Sequence, residues 1–122
     1  MTMGKTKHFV WDYSERTDIL NIRKSNKKIE GSAEIGDFTV DFDKQGNIIG
    51  IEIMNAADFL CQSGISKTDL AELKEAELNI SHKNNNLTFI WIILKLPNNV
   101  EKKIPFPAPV VNEEPTAMMA EA

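Results

Sequence analysis

The sequence predicts an α+β fold: an antiparallel, β-rich single domain of about six or seven strands, with one or two short helices between two β segments. Three observations carry that reading. Residues 36–43 alternate between apolar and polar side chains, the period of a strand with one buried face. Turn chemistry recurs at Ser14–Thr17, Asp43–Gly46 and Asn84–Asn86. Helix punctuation (Asn55, Gly64, Ser66) falls between the two β-rich stretches.

The first strand is predicted over His8 to Tyr13, where Phe9, Trp11 and Tyr13 alternate with His8, Val10 and Asp12. The second, Asp18 to Arg23, places Leu20 and Ile22 on one face and Asn21 and Arg23 on the other. Lys24 to Ala33 reads as a polar loop. The third strand, Gly36 to Asp43, sets Phe38, Val40 and Phe42 against Asp37, Thr39, Asp41 and Asp43. Asp43-Lys44-Gln45-Gly46 has the composition of a tight turn, an Asx side chain ahead of a closing glycine. In the fourth strand, Asn47 to Met54, Ile49, Ile51 and Ile53 point inward and Ile48, Glu52 and Met54 outward. Gly50 within it marks a bulge or a close backbone approach.

Asn55 is a suitable N-cap for a helix over Ala56 to Cys61, and Gly64 a suitable stop. Ser66-Lys67-Thr68-Asp69 fits the capping-box pattern and opens a second helix to about Lys74. Alternation then returns: Ala76, Leu78, Ile80 and His82 oppose Glu75, Glu77, Asn79, Ser81 and Lys83. The next strand, Leu87 to Leu96, is apolar on both faces: Phe89, Trp91 and Ile93 on one, Ile90, Ile92 and Leu94 on the other. Such a strand is central or covered by a partner. A last strand spans Val100 to Phe106, after which Pro105, Pro107 and Pro109 end regular structure. The expected organisation is one domain over residues 1–110. It has a β-meander plus short helix at 8–61, a helix plus β-hairpin at 65–107, and a disordered tail at 111–122.

With 42% hydrophobic and 26% charged residues the composition is that of an ordinary globular chain. A net charge of −4 and a pI near 5.2 give no electrostatic reason to bind nucleic acid or an anionic membrane. The longest apolar run, Phe89 to Leu94, is far short of the ~20 residues of a membrane-spanning helix. One cysteine, Cys61, forms no intrachain disulfide and reads as a small buried hydrophobe. Met1 to Phe9 lacks the apolar run of a signal peptide, so the expected location is the cytoplasm.

Chemistry is sparse. His8 and His82 are the only imidazoles, and neither a zinc spacing nor a phosphate-cradling glycine loop is present. The candidate metal ligands are Asp37, Asp41, Asp43 and Glu52, with Asp12 nearby. They share the outer face of the first sheet if its strands pair in order. The competing explanation is that the outer face of a half-exposed sheet must be polar. The candidate interface is Phe89, Ile90, Trp91 and Ile92, on the two-sided strand. No cofactor and no catalytic residue is expected.

Three segments carry a family resemblance: Asp18-Ile-Leu20-Asn-Ile22, Ile35-Gly-Asp37-Phe-Thr-Val40-Asp41-Phe-Asp43, and Gly46-Asn-Ile-Ile-Gly50-Ile-Glu52-Ile53 with Asn55-Ala56. Through them residues 12–60 resemble a family of small, uncharacterised prokaryotic proteins known only as a domain of unknown function. Residues 65–107 look like the extension of longer members. Members often carry Tyr where this chain has Asn21, so a site built around that aromatic is not implied here. The resemblance lends no activity. It implies a partner protein, with some members encoded beside toxin-like genes. The resulting expectation is a non-enzymatic module that self-associates or engages a protein partner. The alternative is a module binding metal or a small ligand through its carboxylates.

Overall fold

Alternation becomes strand pairing in the computed structural model, which describes residues 1–82, 87–107 and 110–111. Six strands form one antiparallel sheet: β1 (Thr2–Lys5), β2 (Phe9–Ser14), β3 (Ile19–Lys24), β4 (Gly31–Ile35), β5 (Phe38–Phe42) and β6 (Ile48–Met54). Their order is β1-β2-β3-β6-β5-β4: two three-strand meanders joined where β3 pairs with β6. The strands therefore do not pair in chain order throughout.

β1 and β4 lie where a leading segment and a loop were expected, and both are sheet edges. An edge strand has one neighbour and needs no apolar face, so Gly31-Ser-Ala-Glu-Ile35, exposed along its whole length, leaves no hydrophobic period to read.

Cross-strand rows build the inner face. Trp11, Ile22, Ile51 and Val40 are successive partners across β2-β3-β6-β5, and Tyr13, Leu20, Ile53 and Phe38 form the next row. Gly4 pairs with Trp11 at the edge, and a Cβ there would come within 2.1 Å of the indole, so only glycine lets β1 lie across that ring. Gly50 answers both expectations. Asp41 pairs with Gly50 but Phe42 pairs with Ile48, which makes Ile49 the extra residue of a bulge. A Cβ on Gly50 would also lie 2.8 Å from Arg23 Cβ. The bulge resets the two-residue period, so Ile48 joins the core cluster with Ile51 and Ile53 instead of facing outward.

The second sheet comprises β7 (Glu75–His82), β8 (Leu87–Lys95), β9 (Glu101–Pro105) and β10 (Val110–Val111). β8 is central, with β7 along one edge and β9 and β10 sharing the other. β7 packs against β2 and β3. One cluster of buried side chains joins the sheets, including Leu20, Ile22 and Ile53 from the first and Leu78, Ile92 and Leu94 from the second.

Two short helices, α1 (Ala56–Leu60) and α2 (Lys67–Ala71), connect the layers. A single 3-10 turn follows α1 and closes on Gly64 at φ 77°, the stop that the sequence indicated. The α2 capping box is complete: Asp69 N–H donates to Ser66 Oγ (3.1 Å) and Ser66 N–H to Asp69 Oδ2 (2.9 Å). α2 ends earlier than the pattern implied because Lys74 N–H already donates to Lys95 O of β8, at 2.8 Å. Phe38 makes edge-on contacts with Phe59 of α1 and with Phe106 beyond β9, at centroid distances of 5.0 and 5.2 Å. The Asn84–Asn86 turn and residues 112–122 of the expected tail lie outside the described residues.

Candidate functional site

The four candidate metal ligands do not converge. Asp37 and Asp43 flank opposite ends of β5, so the strand itself holds them apart. Asp43 is a turn residue: its Oδ1 accepts from the N–H groups of Gln45 and Asn47, both at 2.9 Å, and Oδ2 from Asn47 Nδ2 at 3.2 Å. Desolvation raises its pKa, but these donors and the charge of Lys27 outweigh that and hold it below the ordinary carboxylate value. Asp37 Oδ2 accepts from Asn55 Nδ2 (3.4 Å), and Asp41 Oδ1 from the Ser32 hydroxyl (2.7 Å).

By register Glu52 lies diagonal to both Asp41 and Asp37 across β5 and β6. Glu52 sits in a row that runs Asp12, Asn21, Glu52, Thr39, Glu34 across five strands, alternating carboxylates with neutral polar groups. Asn21 Nδ2 donates to Asp12 Oδ1 (3.1 Å) within it. Among the described residues no group of three or more His, Cys, Asp or Glu side chains is placed to hold a metal ion. β6 lies between β3 and β5, yet the β5–β6 pair that carries all four residues is intact; the length of β5 and the Asp43 turn keep them from closing on one point.

The candidate interface divides in two. Ile90 and Ile92 are core residues, Ile92 at 0% exposure, because the even-numbered face of β8 packs toward the first sheet. Phe89, Trp91 and Ile93 occupy the outer face, where Phe89 is 36% exposed and the other two half-buried. The expected pairing of faces holds, but Ile90 and Ile92 are withdrawn from any surface. Lys103 Nζ stands 5.0 Å from the Trp91 ring centroid, a cation over an aromatic face. Pro105 and Asn79 flank Trp91 across the sheet, and Glu77 and Lys103 flank Ile93.

Sequence reasoning passed over one constellation entirely. Asp18 adopts φ 56°, a left-handed conformation that Asp tolerates better than most side chains. Its Oδ1 accepts from the buried Tyr13 hydroxyl at 2.6 Å and from Ala57 N–H at 3.1 Å, and its carbonyl accepts from Ala56 N–H at 3.0 Å. Asp18 thus caps α1 from a distant turn, whereas Asn55, at the N-cap position with φ 53°, makes no side-chain cap bond. The available signal was an Asp directly after a turn and before a strand, a common type that nothing local distinguishes.

Burial, then the hydrogen bond to Asp18 and its charge, raise the Tyr13 pKa above the ordinary value near 10. A raised folded-state pKa contributes stability that is complete below pH ~10. It is lost as the unfolded-state phenol ionises above that, at about 1.4 kcal/mol per pH unit. Wild type is therefore expected to lose stability above pH ~10 more steeply than Tyr13→Phe, in thermal melts across that range. Parallel losses in the two proteins up to about pH 11 refute the assignment. Tyr13 is the sole tyrosine, so tyrosinate absorbance follows the same event directly.

Cys61 is exposed, not buried as its apolar neighbours implied, because the 3-10 turn after α1 carries it outward; its Sγ donates to Asp58 O at 3.0 Å. His82 Nδ1 lies 3.1 Å from the hydroxyl of Thr88, which is fully buried. No helix among the described residues is long and apolar enough to cross a membrane.

The β2–β6 segment with its Asp18 cap is also where the chain resembles known proteins. Residues 11–56 match the family described as "Protein of unknown function (DUF2283)". That agrees with the resemblance read over residues 12–60. The DUF2283 segment runs from Trp11 to Ala56, and so contains Tyr13, Asp18 and the first residue of α1. An uncharacterized protein of Methanocaldococcus jannaschii is 34% identical over 59 residues, 48% of this chain and 48% of its own length. The match therefore spans about half of that relative. A Methanosarcina mazei protein named a putative hypoxanthine phosphoribosyltransferase is 29% identical over 94 residues, 75% of this chain and 74% of that protein. No solved structure matches the chain.

Proposed function

We propose that the chain is a non-enzymatic protein-interaction module that self-associates through the outer face of its second sheet. The observation that carries this reading is the stripe Phe89, Trp91 and Ile93, apolar side chains set side by side on the solvent face of a central strand. The outer face of the first sheet provides the contrast. Its middle row is Asp12, Asn21, Glu52, Thr39 and Glu34, the polarity that solvent demands of an exposed sheet face. A contiguous apolar patch rimmed by polar groups is a characteristic contact surface. Two of the polar contacts, Tyr13 with Asp18 and Ser66 with Asp69, are accounted for by helix capping.

The test is the solution mass by light scattering as a function of concentration, for wild type and Trp91→Glu. Wild type is expected to gain mass with concentration and Trp91→Glu to remain monomeric with its fold intact. An unchanged mass profile in a folded Trp91→Glu, or a wild type that stays monomeric throughout, overturns the proposal.

A further inference from the structure

We infer that a binding site for a small phosphomonoester lies at the mouth between the two sheets, with its phosphate held between Lys24 and Lys27. Two cavities open at this end of the molecule, of about 190 and 440 Å³, and both lysines line both of them. The smaller lies between the layers, where β6 supplies Ile48 and Ile49 and β7 supplies Ile80 and His82. The larger runs along the turn between β1 and β2, with Lys7, His8 and Phe9. Four cationic or basic side chains from distant segments, besides His82, thus border two adjoining cavities, which no spacing in the sequence announces. Neither cavity is lined by Phe89, Trp91 or Ile93, so the site stands or falls independently of self-association.

Lys24 is the unusual member. It continues the inward series Leu20 and Ile22 of β3 and pairs with the buried Phe9, so the two-residue period leaves it half-buried on the core side of the sheet. Its stem follows the apolar surface and its ammonium emerges at the boundary between the layers. The carboxylates at this end are already engaged. Glu30 pairs with Lys28 at 3.5 Å. Asp43, the one acid lining either cavity, feels the charge of Lys27, but its oxygens accept from the N–H groups of Gln45 and Asn47 and from Asn47 Nδ2. Among the described residues Lys7, Lys24 and Lys27 form no ion pair. A chain of net charge −4 therefore gathers three lysines here without pairing them, and a phosphate dianion supplies the missing counter-charge. Ser25 lines the larger cavity, and its hydroxyl is buried with no hydrogen-bond partner; after a χ1 rotation it gains an acceptor in a phosphate oxygen. The volume of that cavity falls in the range of small-molecule sites, roughly 300–1,000 Å³, and Phe9 offers an apolar wall to the organic group. The positive region is a spot and not the long stripe of a nucleic-acid surface: on the outer face Asp12 lies diagonal to Arg23, and Asp41 shares its row across Gly50.

The experiment is isothermal titration calorimetry with phenyl phosphate at constant ionic strength, with inorganic phosphate and phenol as separate arms. Phenyl phosphate is expected to bind saturably with a Kd below about 1 mM, more tightly than inorganic phosphate, and phenol not to bind. Lys24→Gln and Lys27→Gln are each expected to weaken binding by roughly fivefold or more, because each removes a charge-assisted contact while keeping most of the stem. Lys28→Gln, in the same loop but paired with Glu30 and outside both cavities, and Lys5→Gln leave the affinity unchanged. Thermal melts of each variant confirm the fold. No saturable heat from either phosphate up to about 10 mM, or a Lys28→Gln loss equal to that of Lys27→Gln, overturns the site. Inorganic phosphate binding as tightly as phenyl phosphate overturns the phosphomonoester assignment. A single-stranded oligonucleotide that binds more tightly, and loses affinity equally with all four substitutions, reveals a diffuse polyanion surface and overturns it too.

Discussion

Ile92→Glu is expected to unfold this protein, while Trp91→Glu, one residue away, leaves it folded. Both side chains lie on β8 and both are apolar, but successive residues of a strand face opposite ways. Ile92 is 0% exposed and packs in the cluster that joins the two sheets. Removing its aliphatic volume costs roughly 2–5 kcal/mol, and an unpaired carboxylate placed there adds several more. That sum approaches the whole stability of a typical domain, roughly 5–15 kcal/mol. Trp91→Glu loses a half-buried ring and the contact with Lys103, about 1–2 kcal/mol, and its new carboxylate reaches water. Circular dichroism and thermal melts decide the matter. A cooperative Ile92→Glu transition near the wild-type temperature contradicts the assignment of faces.

The second large effect is expected at Asp18. Asp18→Ala removes the cap on α1, worth about 1 kcal/mol, and strands the Tyr13 hydroxyl in the core, worth about 1–3 more. It also forces alanine into a left-handed conformation. The combined loss is about 2–4 kcal/mol, a fall in melting temperature on the order of 10 °C for a chain of this size. Asp18→Asn keeps an acceptor and tolerates that conformation, so its loss is smaller. Adding Tyr13→Phe to Asp18→Ala recovers part of the deficit, since the phenol no longer lacks a partner; the two substitutions are then non-additive. Strict additivity, or an Asp18→Ala protein as stable as wild type, excludes this account of the capping.

Elements with an apolar period were legible in the sequence. Phe9 to Tyr13, Phe38 to Phe42 and Ile90 to Leu94 needed only alternation, and the Ser66–Asp69 box only its spacing. What escaped has a common cause. β1 and β4 are edges with little to bury, so selection for a core left no pattern in Thr2–Lys5 or Gly31–Ile35. Gly50 signalled a bulge, but not that the bulge would turn Ile48 inward.

The candidate sites divide along the same line. That β8 is apolar on both faces is a property of residues 87–96 alone. Which face remains outside depends on where the first sheet lies, so of the four candidate residues Ile90 and Ile92 went into the core and Phe89 and Trp91 stayed on the outer face. The acidic set Asp37, Asp41, Asp43 and Glu52 stays on one hairpin, β5–β6, but the extended strand spaces Asp37 from Asp43, and the turn donors engage Asp43. Asp18 lies 39 residues from the helix it caps, a separation over which local propensity carries no information. The sequence by itself determined the β-rich class, most strand positions, the turns and the face periodicity, because these arise from contacts between near neighbours. Strand order, the outward face of β8 and the Tyr13–Asp18–α1 cap were decided only by tertiary structure, because each depends on which distant surfaces exclude water from one another.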